Sequence, residues 1–159
     1  MIKGTAHVFG HHLNTDVIHP PEYFSFDPER VRLGFMKGVD PTFLDRFSPG
    51  DILIAGENFG CGSSRETSIY SMLHNKVGAV VAISFARIFF RNAINNGLPI
   101  YEFVDPLDYA KVLDQATLII NEDNKTLQSG GTVSKLQSVP DNLKLWLESG
   151  IQAKAPTPR

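Results

Sequence analysis

Seven consecutive residues, Gly60-Cys61-Gly62-Ser63-Ser64-Arg65-Glu66, hold the densest collection of reactive and ligand-binding types in the chain. They follow the apolar run Asp51 to Ala55 and precede a segment of helical spacing, so the order is strand, glycine turn, helix. Gly60 and Gly62 permit positive φ and close approach of a ligand to the backbone, and the first amides of a helix point outward unpaired. Together these make an anion site suited to a carboxylate or phosphate. Arg65 adds a permanently charged fork for bidentate recognition of a carboxylate. A cation is disfavoured at a helix N-terminus, which argues for a bound anion nearby. Ser63 with Glu66 also matches a capping box, in which both side chains only satisfy orphan amides. Cys61 reads equally as a packed small hydrophobe or an exposed thiol.

Two familiar phosphate-binding motifs do not fit. No third glycine follows Gly62 at the offset a dinucleotide fold requires, and no lysine follows the glycines as in a P-loop.

The elements around this loop alternate. Lys3 to Phe9, Asp51 to Ala55, Ala79 to Ile83, Pro99 to Phe103 and Thr117 to Asn121 read as strands. Ser64 to Asn75, Ala86 to Asn95, Pro106 to Gln115 and Asp141 to Ser149 read as helices. Such alternation predicts an α/β fold with helices packed around a largely parallel sheet. In the first helix Ile69, Met72, Leu73 and Lys76 share one face, with Glu66 and Asn75 away from it; in the second, Ile88, Phe89 and Ala93 are placed for burial and Asn95-Asn96-Gly97 stops the helix. Between Leu13 and Gly50 prolines and glycines break the pattern into a long excursion, either a binding element or a structural one carrying short helices.

With 159 residues, 42% hydrophobic and 20% charged, the chain fits a single domain over 1–159, with 153–159 read as a frayed tail. No apolar run reaches the roughly 20 residues of a membrane span, and the N-terminus lacks the regions of a secretory signal, so the expected location is cytoplasmic. A net charge of −2 without a basic stripe speaks against nucleic acid. The single cysteine excludes an internal disulfide and any cysteine-only metal site on this chain. His11, His12, His19 and His74 show no ligand spacing and read as surface or loop histidines; Arg87 and Arg91 read as structural.

Three blocks carry a resemblance: Asn14-Thr15-Asp16-Val17-Ile18, Gly56 to Glu66, and Ser84 to Leu98. In order and in type they resemble the small subunit of 3-isopropylmalate dehydratase, whose domain corresponds to the swivelling β/β/α domain of aconitase, with helices packed around a partly parallel sheet. The resemblance implies a hydro-lyase that moves water between neighbouring carbons of a 2-hydroxy di- or tricarboxylic acid. It implies no metal on this chain, a [4Fe-4S] cluster on a larger partner subunit, and a heterodimer or heterotetramer. By the same resemblance Ser63 is the catalytic base, with Ser64, Arg65, Gly62 and Cys61 binding substrate; Asp16 is either an orienting carboxylate or a turn-forming aspartate. A related hydratase acting on methylmalate, 2,3-dimethylmalate or homoaconitate is the alternative, and a non-catalytic anion-binding module the rival from another class.

Substrate choice in that family is attributed to a short loop that often reads Tyr-Leu-Arg-Thr. The matching place here holds Tyr23, Phe24, Ser25 and Phe26, so the arginine position is occupied by Ser25. Without that guanidinium a further substrate carboxylate lacks its partner, while Phe24 and Phe26 offer apolar surface to an alkyl group.

Overall fold

The computed structural model describes residues 1–62 and 66–138. Its strands are β1 (Ile2–Val8), β2 (Ile52–Ala55), β3 (Ala79–Ala82), β4 (Ile100–Phe103), β5 (Thr117–Asn121), β6 (Thr126–Ser129) and β7 (Thr132–Gln137). They close into a barrel in the order β1-β2-β3-β4-β7-β6-β5. The first four are parallel neighbours, whereas β5, β6 and β7 join by antiparallel pairing. The sheet is therefore partly parallel, as the family resemblance implies, and not largely parallel as alternation alone predicts. β6 and β7, absent from the expected strands, form a hairpin in which Ser129 faces Thr132 across Gly130-Gly131. That two-glycine turn was the available signal; the short, polar-rich strands beside it obscured the pattern.

Burial explains why β2 and β3 read as unbroken apolar runs. Ile52, Ile54, Ala79 and Val81 point into the barrel with Phe103, Leu118, Ile120 and Leu136. Leu53, Ala55, Val80 and Ala82 point outward into a second core beneath the helices. A strand covered on both faces has no polar side to alternate with. In β7, by contrast, Ser134 and Leu136 are buried while their neighbours in the strand are exposed, as expected for a strand with one face in water.

The helices are α1 (Thr15–Ile18), α2 (Pro28–Leu33), α3 (Thr67–His74) and α4 (Arg87–Asn95). α2 starts at Asp27, whose carboxylate accepts from Glu29 N–H at 3.1 Å, with Pro28 at its first position. Ile69 and Met72 of α3 are buried as the periodicity predicts, but Lys76 is exposed and Asn75 is buried. Lys76 lies beyond the helix at φ 58, and the Asn75 amide is used inside, donating to Arg32 O at 3.0 Å and to Ser71 O at 2.7 Å. In α4, Phe89, Phe90 and Ala93 are buried, whereas Ile88 is half exposed; Phe90 takes the place expected for Ile88 against the core.

The helix expected over Pro106 to Gln115 is instead a 3-10 helix at Pro106–Lys111. Val112 turns extended so that its side chain enters the barrel core, a tertiary demand that overrides local spacing. The expected helix at 141–149 and the tail at 153–159 lie outside the described residues.

The excursion between Leu13 and Gly50 is structural as well as exposed. Ile18, Phe35, Met36 and Phe43 are fully buried and complete the helix-side core. At its end Asp51 is buried and acts as a junction. Its carboxylate meets His7 Nε2 at 2.8 Å and accepts from Thr5 N–H at 3.2 Å and Ser48 N–H at 3.0 Å. Replacing Asp51 by Ala leaves three buried or half-buried donors without an acceptor and should cost about 3 kcal/mol. Urea unfolding of the purified Asp51→Ala chain checks this, with Asp51→Asn expected to lose less.

Candidate active site

The glycine loop leaves the carboxyl end of β2 and is strapped on both sides by main chain. On one side Gly60 N–H donates to Leu13 O at 2.8 Å and Thr15 N–H to Cys61 O at 2.8 Å. On the other, Phe59 N–H donates to Ser84 O at 3.0 Å and Ala86 N–H to Phe59 O at 2.9 Å. All three sequence blocks that carry the family resemblance thus meet at one place. It lies just outside the carboxyl ends of β1, β2 and β3, the edge where parallel α/β sheets place ligands.

Both glycines are required by geometry. Gly60 has φ 84 and Gly62 φ 102, in the left-handed region that side chains resist. A Cβ on Gly60 would collide with the Phe89 ring, and one on Gly62 would come 2.7 Å from Asn14 Nδ2. Phe59 anchors the loop from below. It is fully buried, with its ring edge-on to Phe89 at 5.2 Å and to Phe85 at 6.0 Å.

Ser63, Ser64 and Arg65 lie outside the described residues. The loop is described up to Gly62, which is exposed, with Cys61 half-exposed beside it. It resumes at Glu66, whose carboxylate accepts from Tyr70 Oη at 3.2 Å and from Asn96 Nδ2 at 3.1 Å. Glu66 therefore ties the start of α3 to the end of α4, and it stands at the N-cap of α3 without a side-chain capping bond.

Asn14 caps α1, its Oδ1 accepting from Asp16 N–H at 2.7 Å, while its side chain lies against Gly62. Asp16 sits exposed on the first turn of α1, two residues from this contact. Further along, Pro21–Tyr23 forms a 3-10 helix. Phe24 lays its ring on His19 at 5.6 Å, within 11° of parallel, and Ser25 Oγ accepts from Asp27 N–H at 2.9 Å. Phe26 is fully exposed. A guanidinium does stand on this loop, though not at position 25: Arg30 of α2 lies 4.8 Å from the centre of the Tyr23 ring and donates to Glu22 O.

Some expectations need correction. His19 is not a surface residue but is buried, its Nε2 3.0 Å from Val31 O. Burial pushes its imidazole below the ordinary histidine range, against the raising effect of that carbonyl. Sequence reading also missed three supports. Ser84 Oγ accepts from Asn58 N–H at 2.8 Å, and His7 pairs with Asp51. Burial raises the carboxyl of Glu102 above the usual range, although Phe85 N–H and the Gln137 side chain bond to it. None of these pairings has a local signal, because each joins residues 26 or more apart or depends on the sheet.

Among the described residues no three His, Cys, Asp or Glu side chains converge as a metal site. The donor set visible on this chain does not fit an iron–sulfur cluster, which needs several thiolates.

Comparison with known proteins agrees with this geometry. The Aconitase C-terminal domain family matches residues 41–105, which include β2, the glycine loop, β3, α4 and β4. A 3-isopropylmalate dehydratase small subunit from Sulfurimonas denitrificans is 38% identical over 150 residues, covering 94% of this chain and 89% of the relative. The chain belongs to the 3-isopropylmalate dehydratase small-subunit family. A methanogen homoaconitase small subunit from Methanocaldococcus jannaschii is 43% identical over 134 residues, covering 80% of this chain and 79% of that one. The crystal structure of a 3-isopropylmalate dehydratase from the same organism superposes with a TM-score of 0.83 at 36% identity, over 94% of this chain and 89% of that chain. The fold is thus the swivelling α/β domain of the aconitase superfamily, as the sequence blocks implied. Among the described residues no helix is long and apolar enough to cross a membrane.

Substituting Gly60 by Ala tests the loop directly. Positive φ and the Phe89 ring both oppose a methyl group, so Gly60→Ala should destabilise by about 2 kcal/mol or more. Thermal unfolding of the variant beside Gly131→Ala, where a Cβ meets nothing within 4 Å, measures the site-specific part.

Proposed function

We propose that this chain is the small subunit of a cytoplasmic 3-isopropylmalate dehydratase, supplying the base and carboxylate clamp of an active site shared with a larger, cluster-bearing subunit in a heterodimer or heterotetramer. The observation that carries the reading is the convergence of Leu13 to Thr15, Phe59 to Gly62 and Ser84 to Ala86 at the carboxyl edge of the parallel strands. In the sequence Ser63, Ser64 and Arg65 follow Gly62 directly and come just before α3.

Moving water between adjacent carbons requires a base for the carbon-bound proton, a Lewis acid for the departing hydroxide, and clamps for the carboxylates. The partner's cluster supplies the Lewis acid. Ser63 takes the proton as an alkoxide. Serine is a poor base in water, and it can serve only where positive charge stabilises its anion. Arg65 and the positive end of the α3 dipole provide that stabilisation. Ser64, Arg65 and the backbone of Cys61 and Gly62 hold a substrate carboxylate, and Asp16 orients or balances charge at the margin.

Selection of the substrate falls to Tyr23, Phe24, Ser25 and Phe26. Ser25 brings no charge and Phe26 is free to cover an alkyl group, which favours a branched alkyl malate. One observation favours a second reading. Arg30 brings a guanidinium onto the loop from α2, a partner for the extra carboxylate of a homoaconitate-type acid.

Two measurements test these assignments. In enzyme reconstituted with its large subunit, Ser63→Ala should lower kcat by at least about 100-fold while the subunits still assemble. Unchanged activity would remove serine as the base. Wild-type enzyme should have a higher kcat/KM for isopropylmalate than for homoaconitate; the opposite order would transfer the selecting role to Arg30, and Arg30→Ala should then abolish the preference.

A further inference from the structure

His19 is the one buried histidine of the described residues that touches the loop at 21–26, and no step of the proposed chemistry uses it. It is 1% exposed. One face carries Phe24 at 5.6 Å and 11° from parallel, and Tyr23 lies 6.4 Å away at 58°. Nε2 donates to Val31 O of α2 at 3.0 Å, a pairing that fixes the tilt of the ring. Gly34 lies directly beneath, where a Cβ would come 2.6 Å from Nε2. The backbone of His19 closes α1 through Thr15 O at 2.9 Å. This residue stands where the Asn14 block, the loop and α2 meet.

The loop's own main-chain bonds are short-range. Tyr23 N–H donates to Pro20 O and Phe24 N–H to Pro21 O, each at 3.0 Å. They shape the turn, and Arg30 donating to Glu22 O ties it to α2, but neither contact sets the plane of the Phe24 ring. An apolar side chain at 19 would fill the same space without a desolvation cost. Histidine instead leaves Nδ1 buried with no hydrogen-bond partner. A buried polar ring retained at that cost suits a role in orientation more than one in filling space.

We propose that His19 is the positioning residue of the substrate-selecting loop. Its imidazole, locked by Val31 O, sets the plane of Phe24 and with it the placement of Tyr23, Ser25 and Phe26, without contact to substrate. The proposal rests on the reading of residues 21–26 as the selecting loop.

The test uses the enzyme assembled with its large subunit and three variants. His19→Phe keeps a flat ring, His19→Leu keeps bulk without a plane, and His19→Gln removes the ring but retains a donor. Two quantities are read: amide hydrogen exchange across residues 20–26, and the ratio of kcat/KM for isopropylmalate to that for homoaconitate. His19→Leu and His19→Gln should speed exchange about tenfold and shift the ratio at least about fivefold, mainly through KM, while His19→Phe, which keeps the ring but loses the bond to Val31 O, should show a smaller change in both, about threefold. If one ring-less variant does not assemble, the other carries the comparison. If neither does, His19→Phe decides through exchange: a rate about threefold or more above wild type supports the proposal and one within about twofold of wild type overturns it. A ratio and exchange unchanged in the ring-less variants, even with lowered melting temperature, overturn it, as does wild-type behaviour in His19→Phe. Should wild-type enzyme turn over neither acid, the functional reading fails and exchange alone decides the positioning role.

Discussion

Four main-chain hydrogen bonds hold residues 59–61 between the segment after β1 and the segment after β3, and the candidate site depends on them. Each is made by peptide groups, so no side chain can be exchanged to loosen them. They require the chain to pass through Gly60 and Gly62 at positive φ, pressed against Phe89 and Asn14. The result is a loop whose course is set before Ser63 is reached. Rigidity of that kind matters wherever a loop presents reacting groups, because misplacement of about 1 Å can cost on the order of 100-fold in rate.

The barrel provides the frame for the strap. Closing β5, β6 and β7 onto the parallel half removes exposed sheet edges and lets β2 and β3 be covered on both faces. Two cores therefore share the same strands. The inner one is aliphatic and aromatic barrel filling; the outer one is roofed by α3, α4 and the excursion through Phe35, Met36 and Phe43. Loops at the carboxyl ends of β1, β2 and β3 emerge where both cores end, which leaves them supported from beneath and open above.

A single cysteine cannot by itself supply the several thiolates that an iron–sulfur cluster needs. The loop at 21–26 has the guanidinium of Arg30 from α2 over its Tyr23 ring, and its aromatic face is partly committed to His19.

From the sequence alone came the strand, glycine turn and helix of the anion site, the five strands through Asn121, and the family, because local propensity, two- and three-residue periodicity and contiguous motifs are properties of neighbouring residues. Even there, the sequence left Ser63 and Glu66 as cap or machinery. Contacts between distant residues were decided by the tertiary structure. The Gly-Gly hairpin became the closing strands of a barrel only through pairing of β7 with β4 and of β6 with β5. The helix after Pro106 stopped early because Val112 had a place in the barrel core. His19, read as a loop histidine, was buried by Phe24 and Val31 O, and Asn75 by Arg32 O and Ser71 O. Burial and hydrogen-bond partners depend on what the rest of the chain brings alongside, and no local pattern encodes that.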